Sequence, residues 1–232
     1  GPDDEFDPSI LPPADQIAAF FLETYQGWAA WMYPPQYIQA LYKFARDNGA
    51  LVCFDEVQSG FYRMGELYGY MTYGDNIEPD LICLGKGMSS SIPMSALLGT
   101  KEIIDVDLNA NLSGTHAGNT LGCAACLANI NFLTNEQFQK ELNKRIQVFE
   151  KRSHKLLEYN CVTNVNARGM VAGIVFDTTE RTKKIVTDCI ENGVLPVCTF
   201  RESIKLGPPL TLPVEAINEA FDVIEQSINK NI

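Results

Sequence analysis

Leu51-Val52-Cys53-Phe54-Asp55-Glu56-Val57-Gln58-Ser59-Gly60-Phe61 decides the reading of this chain, together with Asp80-Leu81-Ile82-Cys83-Leu84-Gly85-Lys86-Gly87. Each is a short apolar run that ends in a polar group followed by glycine. Runs of this kind read as strands of a parallel sheet, covered on both faces. In such sheets ligands sit at the carboxyl edge of the strands. Asp55 and Lys86 are then presented at one edge by two strands of one sheet. Taken singly, each also fits a blander place, Asp55 as a helix cap and Lys86 as an exposed loop residue.

An acid and an amine placed so are what a pyridoxal phosphate site needs. The lysine forms a Schiff base with the aldehyde, and the acid keeps the pyridine nitrogen protonated so that the ring accepts electrons. A carboxylate about 4 Å from a cation in a partly screened site is worth roughly 4 kcal/mol. That is enough to raise a pyridinium pKa by roughly three and hold it charged at neutral pH.

Phe54-Asp55-Glu56-Val57-Gln58-Ser59-Gly60-Phe61, then Arg63-Met64-Gly65, then Pro79-Asp80-Leu81-Ile82-Cys83-Leu84-Gly85-Lys86-Gly87 resemble the class III pyridoxal phosphate aminotransferases. That group includes the ornithine, acetylornithine and 4-aminobutyrate enzymes. The resemblance runs from about residue 17 onward. It implies a fold type I α/β architecture: part of a large, mostly parallel-sheet domain (1–150) and a small C-terminal α/β domain (151–232). It implies that Lys86 carries pyridoxal 5'-phosphate, Asp55 pairs with the ring nitrogen and Gln58 contacts the ring hydroxyl. It also implies transamination between an amino compound and a keto acid or aldehyde through the Schiff base at Lys86, in a homodimer. Decarboxylases and epimerases of the same fold use the same lysine and acid.

Complete members of that family are much longer than 232 residues. Their glycine-rich phosphate loop and ring-stacking aromatic have no counterpart here, so the chain reads as a C-terminal half. The alternative function follows from this: a non-catalytic fragment, or a split half that needs an N-terminal partner.

The net charge of −11 argues against nucleic acid and anionic membrane surfaces as partners. No apolar run reaches the length of a membrane span. The seven cysteines are scattered through apolar segments, as small core residues of a protein of the cell interior, so a cytoplasmic location is expected. Cys123-Ala124-Ala125-Cys126 has the CxxC spacing but no second pair and an alanine-rich setting, so it reads as packing and not as a metal site.

Along the chain, 17–22 reads as a strand and 35–47 as a helix with Tyr37, Leu41, Phe44 and Ala45 on one face. The strand to Phe54 then completes a strand–helix–strand unit whose crossover is expected to be right-handed. Residues 93–99 read as a further strand, which in the family returns antiparallel. Helices are expected over 117–133, 136–159, 179–192 and 213–228. Strands are expected over 171–176, 194–197 and 203–206.

Thr115, in Ser113-Gly114-Thr115-His116-Ala117-Gly118-Asn119, precedes a helix start, where hydroxyl and backbone amides make a phosphate site. By the resemblance it reaches the cofactor phosphate of the neighbouring subunit. A helix N-cap by Ser113 or Thr115 is the local alternative. His116 has no obvious partner for acid–base work, and His154 reads as surface. Two positions depart from better-known family members. Trp28 stands where many carry a glutamate, and Lys205, in Ser203-Ile204-Lys205-Leu206-Gly207-Pro208-Pro209-Leu210, stands where they carry an arginine that grips the substrate carboxylate. Lysine offers a point charge without the planar fork. Trp28 and Lys205 are taken as substrate-binding candidates, with a surface lysine on an edge strand as the alternative for Lys205.

Overall fold

A computed structural model describes residues 5–28, 31–106, 114–199 and 201–232. The chain divides into two compact units. One comprises Gly1–Tyr25, Tyr33–Tyr62 and Glu66–Thr134, the other Gln26–Met32, Arg63–Gly65 and Asn135–Ile232. The sequence reading draws its boundary at residue 150, inside a long helix. Here the division falls ahead of that helix, because its buried face, Leu142, Phe149 and Ser153, packs within the second unit.

The first unit holds β1 (Ala19–Glu23), α1 (Pro35–Asp47), β4 (Leu51–Asp55), β5 (Leu81–Leu84), β6 (Ala96–Gly99), the short α2 (Lys101–Ile104) and α3 (Thr120–Leu133). Between β1 and α1 in the chain come the two-residue strands β2 (Tyr25–Gln26), on the boundary, and β3 (Trp31–Met32), which belongs to the second unit. The main sheet has the order β1-β4-β5-β6. β1 and β5 both run parallel to β4, and β6 returns antiparallel to β5. The strand–helix–strand unit and the antiparallel return are both as the sequence predicts.

Pro35 at the first helical position opens α1, and Gly49, at φ +71°, lets the chain leave it. The buried stripe of α1 is Ile38, Leu41 and Ala45, with Tyr37 and Phe44 half-buried. It packs on Leu22, Val52 and Phe54, which alternate onto one face of the sheet. Asp55 falls on the other face. Phe21 and Leu97 lie on that same face, 69% and 49% exposed.

The second unit is an antiparallel sheet with helices. It contains α4 (Glu136–Lys155), β7 (Val162–Arg168), β8 (Val171–Phe176), α5 (Thr179–Glu191), β9 (Val197–Cys198), β10 (Ser203–Leu206) and α6 (Val214–Lys230). The sheet order is β7-β8-β10-β9. Strand β7 is absent from the sequence reading, and the strand expected at 194–197 shifts to β9. Phe149 of α4 meets Phe221 of α6 edge-on, centroids 5.6 Å apart. Among the described residues no helix is long and apolar enough to cross a membrane.

The β7–β8 turn is set by Gly169, at φ +62°. A Cβ there would lie 2.5 Å from the Arg63 carbonyl oxygen and 2.6 Å from Met64 Cα. These are backbone atoms that cannot swing aside, and Met170 N–H also bonds the Arg63 carbonyl at 2.8 Å. Gly169→Ala is therefore expected to destabilise the protein by about 3 kcal/mol, the sum of a left-handed backbone and a backbone clash. The denaturant midpoint checks this; an unchanged midpoint contradicts the packing.

Candidate active site

Asp55 ends β4 and is the register partner of Cys83 in β5. The pairing continues one residue further, with the Glu56 N–H donating to the Cys83 carbonyl at 2.9 Å. Lys86 follows three residues after Cys83, in a 3₁₀ turn over Lys86–Met88. The two residues thus leave neighbouring parallel strands at the same end of the sheet. Neither forms an ion pair, with the other or with any other described residue.

The half-buried Asp55 carboxylate accepts the Val57 N–H on Oδ1 at 2.9 Å, and its Oδ2 takes no bond from a described residue. This Asx turn replaces the helix-cap alternative: no helix starts there. Gln58 lies half-buried in the turn that follows, its side chain without a hydrogen-bond partner among the described residues.

Lys86 is exposed and stands at φ +38°, a left-handed conformation that costs a non-glycine residue of order 1–3 kcal/mol. Its surroundings hold it there. A Cβ on Gly85 would sit 3.3 Å from Val57 Cγ1, so glycine lets the lysine turn approach the Asp55 turn. From α3, Asn129 Nδ2 donates to the carbonyls of Gly87 at 2.7 Å and Met88 at 3.2 Å. Ser90, at φ +66°, is a second left-handed residue of the same loop.

Lys86 opens into a cavity of about 830 Å³ whose polar lining comes from Ser90, Ser91, Ser95, His116 and Asn119. Among the described residues no acidic side chain lines it, and Lys86 and His116 are its charged or titratable groups, a character that suits an anionic ligand. Asp55, Gln58 and Thr115 lie outside that lining.

Thr115 is exposed, in a turn ahead of α3. It does not cap the helix: Asn119 does, accepting the Gly122 N–H on Oδ1 at 2.7 Å. Ser113, the other expected cap, lies outside the described residues. His154 is exposed on α4, its Nδ1 2.9 Å from the Glu150 carbonyl oxygen. Trp28 and Lys205 both belong to the second unit. Trp28 is 64% exposed. Lys205 is half-buried on β10, an inner strand, and Nζ donates to the Gly27 carbonyl at 2.8 Å. The edge-strand alternative for Lys205 is thereby corrected, since β9 forms that edge.

Two residues of the site are missing from the sequence reading. Asn129 had a visible signal, a polar side chain in an otherwise apolar helix. Glu56 had none: it looks like a solvent-facing acid after a strand, yet it is fully buried. Among the described residues no cluster of three or more His, Cys, Asp or Glu could hold a metal ion.

The class III aminotransferase family model matches residues 9–228. The chain belongs to that family. Its fold is that of the fold type I pyridoxal phosphate-dependent transaminases, and the family depends on pyridoxal phosphate, as the sequence predicts. It is 31% identical to acetylornithine aminotransferase of Methanothermobacter thermautotrophicus, over 93% of this chain and 55% of that enzyme. It is 30% identical to leucine/methionine racemase of Thermococcus litoralis, over 93% of this chain and 50% of that enzyme. The solved ornithine aminotransferase of Plasmodium yoelii superposes with a TM-score of 0.82 at 29% identity, covering 92% of this chain and 57% of that one. The chain spans about half the length of the curated relatives it matches.

Beneath Asp55, Cys53 Sγ lies 3.7 Å from Cys83 Sγ, both as free thiols. Burial first, then Cys83 and Asp55, pushes the Cys53 thiol up to about 12. Only the thiolate is nucleophilic. Alkylation of the folded protein at neutral pH is therefore expected to label the exposed Cys123 well before Cys53. Peptide mass mapping over time checks this, and equal rates at the two positions contradict it.

Proposed function

We propose that this chain carries the lysine-bearing part of a pyridoxal phosphate-dependent aminotransferase site, with Lys86 holding the cofactor through its amine. One observation supports the reading above the others. Neighbouring strand ends present an amine and a carboxylate oxygen that are both uncommitted, and that do not pair with each other. Had they paired, each would neutralise the other; apart, they can hold opposite ends of one ring.

When bound, the cofactor supplies an electron sink for the carbon that carries the substrate amine. Asp55 Oδ2 holds the proton on the ring nitrogen, and Gln58 meets the ring hydroxyl. The Lys86 amine would move the proton between the reacting carbons. Thr115, exposed and outside the Lys86 cavity, serves the phosphate of a neighbouring copy in a homodimer. The first compact unit then belongs to the cofactor-binding domain and the second to the small domain, with α4 on the side of the latter. An amino compound and a keto acid or aldehyde are the substrates, in the cytoplasm. Racemisation or decarboxylation would use the same lysine and acid.

A second reading is favoured by the bare sheet face. A mostly parallel sheet is ordinarily covered on both sides. Here the Asp55 face shows Phe21 and Leu97 to solvent, and Leu121 and Leu127 of α3 are also exposed, at 67% and 62%. On this reading the chain works only when an N-terminal half covers that face.

Borohydride reduction after adding pyridoxal phosphate tests both. Peptide mapping is expected to place the reduced cofactor at Lys86, with loss of the visible band in Lys86→Ala. Labelling spread evenly over the lysines would sink the site. A band that forms only once an N-terminal half is supplied selects the second reading.

Substrate choice turns on Trp28 and Lys205. The Lys205 ammonium supports the turn that carries Trp28 and lacks a fork for a carboxylate. The complete enzyme is therefore expected to show no marked preference for glutamate as amino donor. A kcat/KM for glutamate more than about tenfold above that of neutral amino donors, which corresponds to about 1.4 kcal/mol, would refute this.

A further inference from the structure

We infer that Glu56 is the positioning residue for Asp55, and that its carboxylate fixes the direction of the acid that the proposed function aims at the ring nitrogen. The inference rests on that proposed function for Asp55's role, but its geometry stands alone.

Glu56 is fully buried. Its Oε1 accepts the Thr24 hydroxyl at 2.5 Å and the Tyr70 N–H at 2.8 Å. Its Oε2 accepts the Ser59 hydroxyl at 2.8 Å and the Gly69 N–H at 2.7 Å. A carboxylate has about four lone-pair sites, so these four donors saturate it. All four are neutral, and no cation shares the pocket among the described residues. A buried charge without a counterion is costly, and full saturation by short hydrogen bonds is what makes it tolerable.

The donors come from three separate stretches: the end of β1, the turn after β4 and the segment that begins the 69–73 turn. Tyr73 adds to the same knot, its hydroxyl bonding the Thr24 carbonyl at 3.0 Å. Glu56 therefore ties the exit of β4 to its surroundings on the face away from Asp55. One planar peptide unit separates the two Cα atoms, so the tie passes to Asp55 with little slack. On its other flank Asp55 Oδ1 takes the Val57 N–H. Residue 56 is thus the fixed centre of a three-residue turn whose first member carries the working oxygen. A preorganised acid needs such support, because a misdirected carboxylate loses most of its effect on a charge it should face.

Glutamine cannot replace this group. Its oxygen can serve two of the donors, but its amide hydrogens would face the other two. Glu56→Gln should loosen the turn, and Ser59→Ala, which removes one donor and leaves the rest, should loosen it less. Amide hydrogen exchange of the protein without cofactor reads this directly. The Val57 N–H makes no bond to Glu56, so a local brace would leave it protected. Expected in Glu56→Gln is exchange about tenfold faster at Val57, with Ile174 of the second unit unchanged. Should that variant not fold, Ser59→Ala carries the same comparison with a smaller effect. In protein loaded with pyridoxal phosphate, the pH at which the visible band titrates should move in the same direction as in Asp55→Asn, by less.

Faster exchange at Gly69 and Tyr70 with Val57 unaltered in every folded variant overturns the inference. So does an unmoved band titration in a loaded protein whose Asp55→Asn variant does move. If the unaltered protein never takes up cofactor at Lys86, the proposed function falls, and the exchange comparison still decides whether Glu56 sets the Asp55 turn.

Discussion

The parallel ladder between β4 and β5 is the constraint on which everything at the carboxyl edge depends. Its register pairs Asp55 with Cys83 and so sets how far past the sheet each strand delivers its polar residue. Side chains alternate with a period of two, so a slip by one residue would exchange the faces of Asp55 and Glu56. The open Asp55 oxygen would then be buried among backbone amides, and the saturated carboxylate would be left in the open. The apolar alternation holds the register. Val52 and Phe54, both fully buried, must face the Ile38–Leu41–Ala45 stripe of α1. Hydrophobic burial on one side of the sheet thereby decides which acid appears on the other.

The two adjacent acids divide along that line. Glu56 gives up all its acceptor capacity to protein donors and becomes part of the framework. Asp55 gives up one oxygen to Val57 and keeps the other. The lysine loop has the same division between held and open groups. Its backbone is gripped by Asn129 and lies close against Val57, while the amine at its tip makes no bond to a described residue. The left-handed backbone at Lys86 is the local penalty for that presentation, and contacts from α3 and the Asp55 turn sustain it.

Much of this was legible in the residues, for identifiable reasons. Strands that end abruptly in Asp-Glu and Gly-Lys announce their edges, and a helix opened by Pro35 and closed by Gly49 announces its ends. The class III motif supplied the family, and with it the antiparallel return of β6. What escaped detection depended on partners distant in sequence. β7, Val162-Thr163-Asn164-Val165-Asn166-Ala167-Arg168, has too few apolar residues to alternate clearly, and it exists because β8 pairs with it. Asn119 displaced Thr115 as the α3 cap because the helix starts at Thr120, later than its small-residue composition implied. The burial of Glu56 is set by Thr24, Ser59 and the 69–70 backbone, and no local pattern encodes their convergence. The fully buried stripe of α1 centres on Ile38, while Tyr37 packs half-buried against the same core and stacks on Tyr33, centroids 5.1 Å apart.

Trp28 and Lys205, the proposed substrate-binding pair, differ in kind from an acid and an arginine. An arginine binds a carboxylate with two parallel bonds and rejects a misaligned one; a lysine draws any anion towards a point. On β10 the Lys205 ammonium already donates to the Gly27 carbonyl. An approaching carboxylate would have to share it with that carbonyl, or displace the contact and disturb the turn on which Trp28 stands. Either course weakens the distinction between carboxylated and neutral substrates that a free guanidinium would enforce. The exposed Trp28 indole adds apolar surface next to Gly27 in the chain. On the proposed substrate-binding role of this pair, selection by shape and apolar contact would replace selection by charge, and discrimination of that kind is intrinsically shallow: a methylene more or less in an apolar pocket is worth about 1–3 kcal/mol.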